Sequence, residues 1–484
     1  MKVRTRFAPS PTGPFHMGSA RTALFNYLFT KKEGGTFILR IEDTDKERSK
    51  PEWEHDIIEN LKWLGITYNE GPIRQSERTS TYKKYLEQLL KQGKAYYCFC
   101  EEEELEAQKQ EQMSRGEAPH YKGTCRELSK QQQEEDLKKG QSAVIRFIVE
   151  KKQVSFKDLV RGEVKFDAAL SGDIVIAKDL ENPLYNFSVV VDDALMEITH
   201  VIRGEDHISN TPKQILVQEA LGFKTPLYVH LPLILGEDRT KLSKRHGDNS
   251  VSKFKQQGYL PEAIINFLAL LGWNPGDERE IFTLDALVKE FSIEKIQKAG
   301  AVFNIKRLDW INGFYIRRES HKKLVELCWP YLIKAGLIKE NEVSISIQAS
   351  KKLAILSDVV NLYQERLKKL SEIADLGDFF FKEKLGYPKE ILLWKDYSAQ
   401  DIKKSLENLE KIISDIKEKD FIKENLQTIL LAEADRAGDR GLLLWPMRVA
   451  LTGKQASAGP FEVAEVLGKE KTLQRIKEAQ KLLD

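Results

Sequence analysis

Residues 2–41 leave this chain little choice of fold. A strand-like run over residues 2–7 is followed by Pro9-Ser10-Pro11-Thr12-Gly13-Pro14, where three prolines and a glycine rule out regular structure. From Met17 to about Lys31 the pattern is helical, with Ala20, Leu24, Tyr27 and Leu28 on one face. Thr36-Phe37-Ile38-Leu39-Arg40-Ile41 reads as a second strand, buried on both faces at its centre. Strand, helix and strand at this spacing make a βαβ unit and so predict a parallel sheet. The acidic run Glu42-Asp43-Thr44-Asp45 follows at the carboxyl end of the second strand, where open α/β sheets bind ligands.

Helices are expected over Pro51–Leu64 and Thr79–Gln92. The character then changes. Residues 95–185 carry three cysteines, a charged helix from Glu101 to Ser114 and alternating strands such as Ala143–Phe147, the pattern of an inserted α+β domain. The sheet is expected to resume with strands at Asn186–Val191 and Ile198–Arg203, then Leu227–Leu231. Beyond Phe254 the pattern is helical, broken at Gly272–Gly276, Gly386–Pro388 and Gly453–Pro460. These shifts divide the chain at 1–95, 96–185, 186–253 and 254–484.

At 484 residues, core size does not limit stability. No apolar run approaches the roughly 18 residues of a membrane-spanning helix. The N-terminus lacks the features of a signal peptide. With only four cysteines (Cys98, Cys100, Cys125, Cys328), this predicts a reducing, cytoplasmic setting. A net charge of +2 means that any polyanion must be met by local basic surface.

The proline-rich turn opens a helix, so backbone N–H groups and the positive helix end face a ligand there. Gly18 admits a phosphate close to the backbone. His16 is suited to donate to a phosphate oxygen, with Thr12 and Ser10 adding hydroxyls. Arg6, ending the first strand, is a fork donor for a carboxylate. Far downstream, Lys241-Leu242-Ser243-Lys244-Arg245 forms a compact cationic loop that could fold over a triphosphate as pyrophosphate leaves. The two segments suggest one nucleotide held from both sides, with His16, Lys241 and Lys244 as the catalytic candidates. His16, Gly18, Thr12, Lys241, Ser243 and Lys244 are the candidate ligands of that nucleotide.

These two segments resemble the HIGH and KMSKS signatures of class I aminoacyl-tRNA synthetases. Arg6 to Arg21, Arg40–Asp45, Val201–His207 and Lys241–Asp248 look like the bacterial glutamyl branch of that family, and Phe303–Asn312 and Trp445–Gly453 fit it too. The resemblance implies an α/β fold: a Rossmann-type parallel-sheet catalytic domain (1–95 and 186–253), an inserted α+β acceptor-binding domain (96–185), a helical stem-contact domain (254–325) and an all-α anticodon-binding region (326–484). It also implies activation of L-glutamate by ATP with Mg2+, then ligation to tRNA(Glu), by a cytoplasmic protein that is usually monomeric. Charging of tRNA(Gln) as well remains open, with a glutaminyl enzyme the remoter alternative. By the same resemblance Arg6 and Tyr185 hold the glutamate side chain, Arg203 its α-carboxylate, and Ser10 and Glu42 face its ammonium. Departures are Ser19 in place of the second histidine of the first signature, and Leu242 and Arg245 in the second. Val189 stands where some relatives have a polar residue.

Cys98-Phe99-Cys100 and the distant Cys125 provide three thiolates for a tetrahedral, structural zinc ion. Tyr121, four residues before Cys125, is the fourth ligand in some glutamyl-type relatives; His120 and Glu127 are the other candidates. Cys328, between Leu327 and Trp329, reads as core.

Overall fold

Residues 4–7 and 36–41 do pair in parallel, in register from Arg4 opposite Thr36 to Phe7 opposite Leu39. The computed structural model describes residues 2–242, 247–339 and 351–484, in two compact units. The first unit comprises Met1–Lys255 and Pro261–Leu308, and the second Gln256–Leu260 and Asp309–Asp484.

In chain order the first unit begins β1 (Arg4–Phe7), α1 (Met17–Lys32), β2 (Thr36–Ile41), α2 (Pro51–Trp63), β3 (Glu70–Arg74), α3 (Thr79–Lys91) and β4 (Ala95–Cys98). It continues with α4 (Glu102–Ser114), α5 (Lys130–Lys138), β5 (Val144–Phe147), β6 (Gln153–Asp158), β7 (Gly162–Asp167) and β8 (Ile174–Ala177). Next come α6 (Tyr185–Leu195), β9 (His200–Gly204), α7 (Thr211–Leu221), β10 (Leu227–Leu231), β11 (Ile234–Leu235), α8 (Val251–Gln256), α9 (Pro261–Leu270), α10 (Leu284–Glu290) and β12 (Ala301–Val302). The helices α11 (Ile305–Arg318), α12 (His321–Lys334), α13 (Lys351–Tyr363), α14 (Glu372–Phe381), α15 (Ala399–Asp415), α16 (Lys423–Arg436), α17 (Arg440–Thr452), α18 (Pro460–Leu467) and α19 (Lys469–Leu482) complete the chain.

The strand order places the site. β2 lies between β1 and β3, and all three run parallel. A second sheet runs β7-β6-β10-β9, with β9, β10 and β6 parallel. The Thr199 N–H donates to the Arg4 carbonyl at 2.9 Å, which brings β9 alongside β1. The chain therefore winds outward from β1 in one direction, through β2 to β3, and later in the other, through β9 to β10. Such a reversal opens a crevice at the carboxyl ends of the two central strands. Residues 96–185 contribute to two sheets: β5 pairs with β4 and β8, whereas β6 and β7 join the sheet of β10.

One expected strand is a helix. Asn186–Val191 lies within α6, which begins at Tyr185 immediately after the extended Leu184. Phe187 to Asp193 are all buried, so the helix is apolar nearly all round and shows neither the 3.6 nor the 2.0 period. Its β-branched valines then read as strand, yet tertiary packing overrides that preference. Its Phe187 and Val189–Val191 belong to the same apolar core as Tyr82, Leu86 and Leu89 of α3 and Ile215–Val217 of α7.

The second unit is helical as expected, and Cys328 is fully buried within it. Buried Arg475 of α19 donates to the carbonyls of Phe379, Lys382 and Leu451, near the ends of α14 and α17. A cation there satisfies carbonyls that no helical N–H can reach. No helix among the described residues is long and apolar enough to cross a membrane.

Candidate active site

The turn before α1 is pinned from several sides. Its Phe15 N–H donates to Asp56 at 2.7 Å, and the Glu42 N–H donates to the Pro9 carbonyl at 2.9 Å, tying the turn to the end of β2. The segment that follows the cationic loop is stitched onto it. Met17 donates to the Asn249 carbonyl at 3.0 Å, Val251 donates to the Phe15 carbonyl at 2.8 Å, and His16 forms an antiparallel bridge with Ser250. Lys241 pairs with Asp206 at 3.1 Å, and the charges of both act on His16. The two segments, remote in sequence, thus meet at one place. Ser243 and Lys244 lie outside the described residues. Ser10 is exposed and Thr12 half-buried in the same turn, joined by a 2.9 Å bond from the Thr12 N–H to the Ser10 carbonyl.

His16 is the N-cap of α1. Its Nδ1 accepts from the Ser19 N–H at 3.2 Å, and its Nε2 lies 3.1 Å from the Ser19 hydroxyl. An accepting Nδ1 leaves the proton of the neutral ring on Nε2, the atom that can donate onward. Desolvation by the surrounding chain, then the Lys241 ammonium, hold the imidazole below its usual pKa. The serine that replaces the second histidine of the signature therefore holds the first one. Gly18 has a second reason to be glycine: a Cβ there would lie 3.1 Å from His16 Nδ1.

Four of the residues expected to face the amino acid, Arg6, Glu42, Tyr185 and Arg203, lie near one another. Arg203, on β9, is 5% exposed, and its Nη1 donates to the Tyr185 hydroxyl at 3.3 Å. That hydroxyl also lies 3.0 Å from His207 Nδ1. Burial raises the Tyr185 pKa, and Arg203, Glu42, Arg6 and Asp193 all bear electrostatically on its phenol. Burial and neighbouring Arg203 push the His207 pKa down to about 4, so this imidazole is neutral at physiological pH.

Sequence reasoning missed the scaffold beneath them. Asp193 of α6 accepts from Arg6 Nε at 3.0 Å and from Arg40 Nη1 at 2.8 Å. Arg40, wholly buried (0%), also reaches Glu42 at 3.0 Å. Next door, Asp192 accepts from Gln75, Arg78 and the Tyr82 hydroxyl. Burial would raise the Asp193 pKa, but the two arginines outweigh it and lower it. Glu42 goes the other way, because its desolvation exceeds the help of Arg40 and Arg6. The signal that could have exposed this network is the pair of adjacent aspartates inside an apolar run, since buried carboxylates require partners.

Cys98, Cys100 and Cys125 converge, with all three sulfurs within 4.8 Å of one another. The Tyr121 hydroxyl is 3.4 Å from Cys98 Sγ and 3.3 Å from Cys100 Sγ. His120 turns elsewhere, to the Ala118 carbonyl and Gln112, and Glu127 is exposed. Three thiols and a phenol at one point match a tetrahedral donor set. The Arg146 guanidinium, 3.8 Å from the Tyr121 ring centre, stacks on that ring.

Comparison with known proteins places the chain in a family. Residues 2–310 match the family model described as tRNA synthetases class I (E and Q), catalytic domain, and residues 323–480 match an anticodon binding domain. The glutamate–tRNA ligase 1 of Caldicellulosiruptor saccharolyticus is 46% identical over 98% of both chains. The glutamate–tRNA ligase of Carboxydothermus hydrogenoformans is 45% identical over 98% of this chain and 99% of its own. The crystal structure of a glutamate tRNA ligase from Elizabethkingia meningosepticum, in complex with its amino acid, superposes with a TM-score of 0.85 at 33% identity, each chain covered in full. On its catalytic and anticodon-binding segments alike, this chain belongs to the family of class I tRNA synthetases for glutamate and glutamine.

Proposed function

We propose that this protein is a glutamate–tRNA ligase that joins L-glutamate to tRNA(Glu) through a glutamyl-adenylate, using ATP with Mg2+. The observation that carries this reading is the meeting of both signature segments beside a crevice lined by Arg6, Arg203, Tyr185 and Glu42. A dianionic amino acid needs two cationic partners and its ammonium needs a carboxylate; two arginines and Glu42 supply them. Relatives named glutamate–tRNA ligase over the full length support glutamate as the substrate.

In the proposed mechanism Arg6 and Tyr185 hold the side-chain carboxylate, Arg203 the α-carboxylate, and Glu42 with Ser10 the ammonium. His16 Nε2–H, the backbone at Gly18 and the Thr12 hydroxyl meet the ATP phosphates. Lys241, Ser243 and Lys244 close over the leaving pyrophosphate and neutralise its growing charge. Mg2+ supplies charge neutralisation on the phosphates. Residues 96–185 receive the acceptor stem, 254–325 contact the stem below it, and 326–484 read the anticodon. Zinc held by Cys98, Cys100, Cys125 and Tyr121 braces the first of these regions. The protein works as a monomer in the cytoplasm, whose reducing chemistry suits its free thiols.

Glutamate-dependent ATP–pyrophosphate exchange with tRNA(Glu) present tests the reading. Robust exchange is expected, and Lys244→Ala should reduce it by roughly a hundredfold or more while tRNA binding changes little. Absence of exchange with glutamate would refute the function. An equal loss of exchange and tRNA binding would refute the role of Lys244.

A further inference from the structure

Arg203 is held from behind by residues that never reach the crevice. His230 of β10 is wholly buried, as is Asp158 at the end of β6. Asp158 Oδ2 lies 2.7 Å from His230 Nδ1 and accepts from the His230 backbone N–H at 3.0 Å. Its Oδ1 accepts from the backbone N–H groups of Val160 and Arg161 at 2.9 and 2.7 Å. Burial would raise the pKa of this carboxylate, but its hydrogen bonds with His230 and Arg161 outweigh burial and lower it. An ionised carboxylate at Nδ1 fixes the ring proton there and leaves Nε2 as an acceptor. Into that acceptor Arg203 donates its Nε–H, at 3.2 Å. Arg203 Nη2 donates to the Thr211 hydroxyl at 2.8 Å, and Nη1 points to Tyr185 at 3.3 Å. The guanidinium is thus anchored through Nε and Nη2, with Nη1 turned toward the Tyr185 hydroxyl.

We infer that Asp158 and His230 are positioning residues for substrate glutamate: His230, held in its Nδ1–H tautomer by Asp158, aims Arg203 at a substrate carboxylate. The inference rests on the proposed reading of Arg203 as a glutamate ligand. It requires His230 to stay neutral, because a second ring proton would oppose the Arg203 Nε–H, donor against donor. The groups facing the ring are Asp158 and Arg161 from the β6–β7 turn, Arg203 from β9, His207 just beyond it and Thr211 of α7. Tyr228 stacks on it with ring centres 6.0 Å apart. Burial lowers the His230 pKa and outweighs the pull of Asp158, with Arg203 and Arg161 adding to burial. Because the folded pKa is depressed, the acceptor is present at neutral pH and is lost as pH falls through that depressed value. The KM for glutamate should therefore stay level through the ordinary imidazole range near about 6.5 and rise only as pH falls through the depressed value below it.

Two replacements of the same ring separate its two functions. His230→Asn keeps a donor within reach of Asp158 but presents nothing to Arg203. His230→Gln places an amide oxygen where Nε2 stood. In exchange assays on the full-length protein with tRNA(Glu), His230→Asn should raise the KM for glutamate roughly tenfold, with the KM for ATP nearly unchanged. His230→Gln should stay within roughly threefold of the parent and lose the acid rise in glutamate KM. Thr211→Val, which keeps the shape of the side chain, removes the second anchor and should raise the same KM by a smaller factor. A parental glutamate KM in both His230→Asn and Thr211→Val would overturn the inference, as would an equal rise in the KM values for glutamate and ATP. If His230→Asn does not fold, Thr211→Val and the pH profile of the parent decide. A parent protein without glutamate-dependent exchange refutes the functional reading itself, and this inference with it.

Discussion

Asp193 illustrates how single residues carry this site. One of its oxygens contacts both Arg6 and Arg40 directly, so removing its charge leaves two buried arginines short of an anion. Breaking a buried pair from one side costs about 3–5 kcal/mol, far more than an exposed pair is worth. Asp193→Asn should therefore lower the urea midpoint of the first unit sharply and raise the glutamate KM through a displaced Arg6. The pH dependence has a definite sign. The folded pKa of Asp193 is depressed, so its contribution is complete above the unfolded value of about 3.9 and is lost as pH falls through the folded value. Acid unfolding of the parent below about pH 4 should accordingly be steeper than that of Asp193→Asn. An unchanged midpoint would show that Arg6 and Arg40 are neutralised by Glu42 and Asp192 without it. At this scale the residue types were legible, and folding brings Arg6, Glu42, Tyr185 and Arg203, the proposed glutamate ligands, near one another. Their supports were not, because nothing in the local chain tells a buried aspartate which arginine it will meet.

Among elements, residue type and periodicity both decided what was readable. α2 and α3 fall within a residue of their expected bounds because each shows one apolar face, and α1 does so although it is buried nearly all round, its alanines and leucines favouring helix. α6 was misread because its valines face core in every direction. The loop joining the cysteines lies between these cases. Its thiols were predicted to converge, and folding brings Tyr121 rather than His120 to them. A metal clip of this kind contributes directly to the folding of its own element. Purified protein should release about one zinc ion per chain on denaturation. Cys125→Ser should lose it, and Tyr121→Phe should bind it more weakly, both measured with a chromogenic chelator. Full zinc content in Cys125→Ser would remove the thiolate from the donor set.

For the whole molecule, a net charge of +2 gives no general attraction for RNA. Any affinity must come from local basic groups, and we propose Arg317, Arg318, Lys322 and Lys323, near the junction of α11 and α12, and Arg366, Lys368 and Lys369 after α13. Several are partly neutralised, for example Lys323 by Glu319 at 3.1 Å and Arg366 by Glu462 at 3.6 Å. The tRNA affinity should fall with salt with a log–log slope of about −0.7 to −0.9 per phosphate neutralised. Replacing the exposed Lys322 by alanine should reduce that slope by roughly one contact while leaving the glutamate KM unchanged. A slope identical to the parent's would remove Lys322 from the RNA surface.

The sequence by itself determined the parallel βαβ start, the helical second half, the two signature segments and the residue types offered as ligands. Those properties are local: proline and glycine break elements, periodicity reveals faces, and residue type limits what a side chain can bind. Only the tertiary structure decided that β9 lies beside β1 to open the crevice, that Ser250 docks on His16, and that Asp158 and His230 stand behind Arg203. These are pairings between residues far apart along the chain. Their energies come from desolvating charges together, which is a property of the folded interior and is written in no single stretch of sequence.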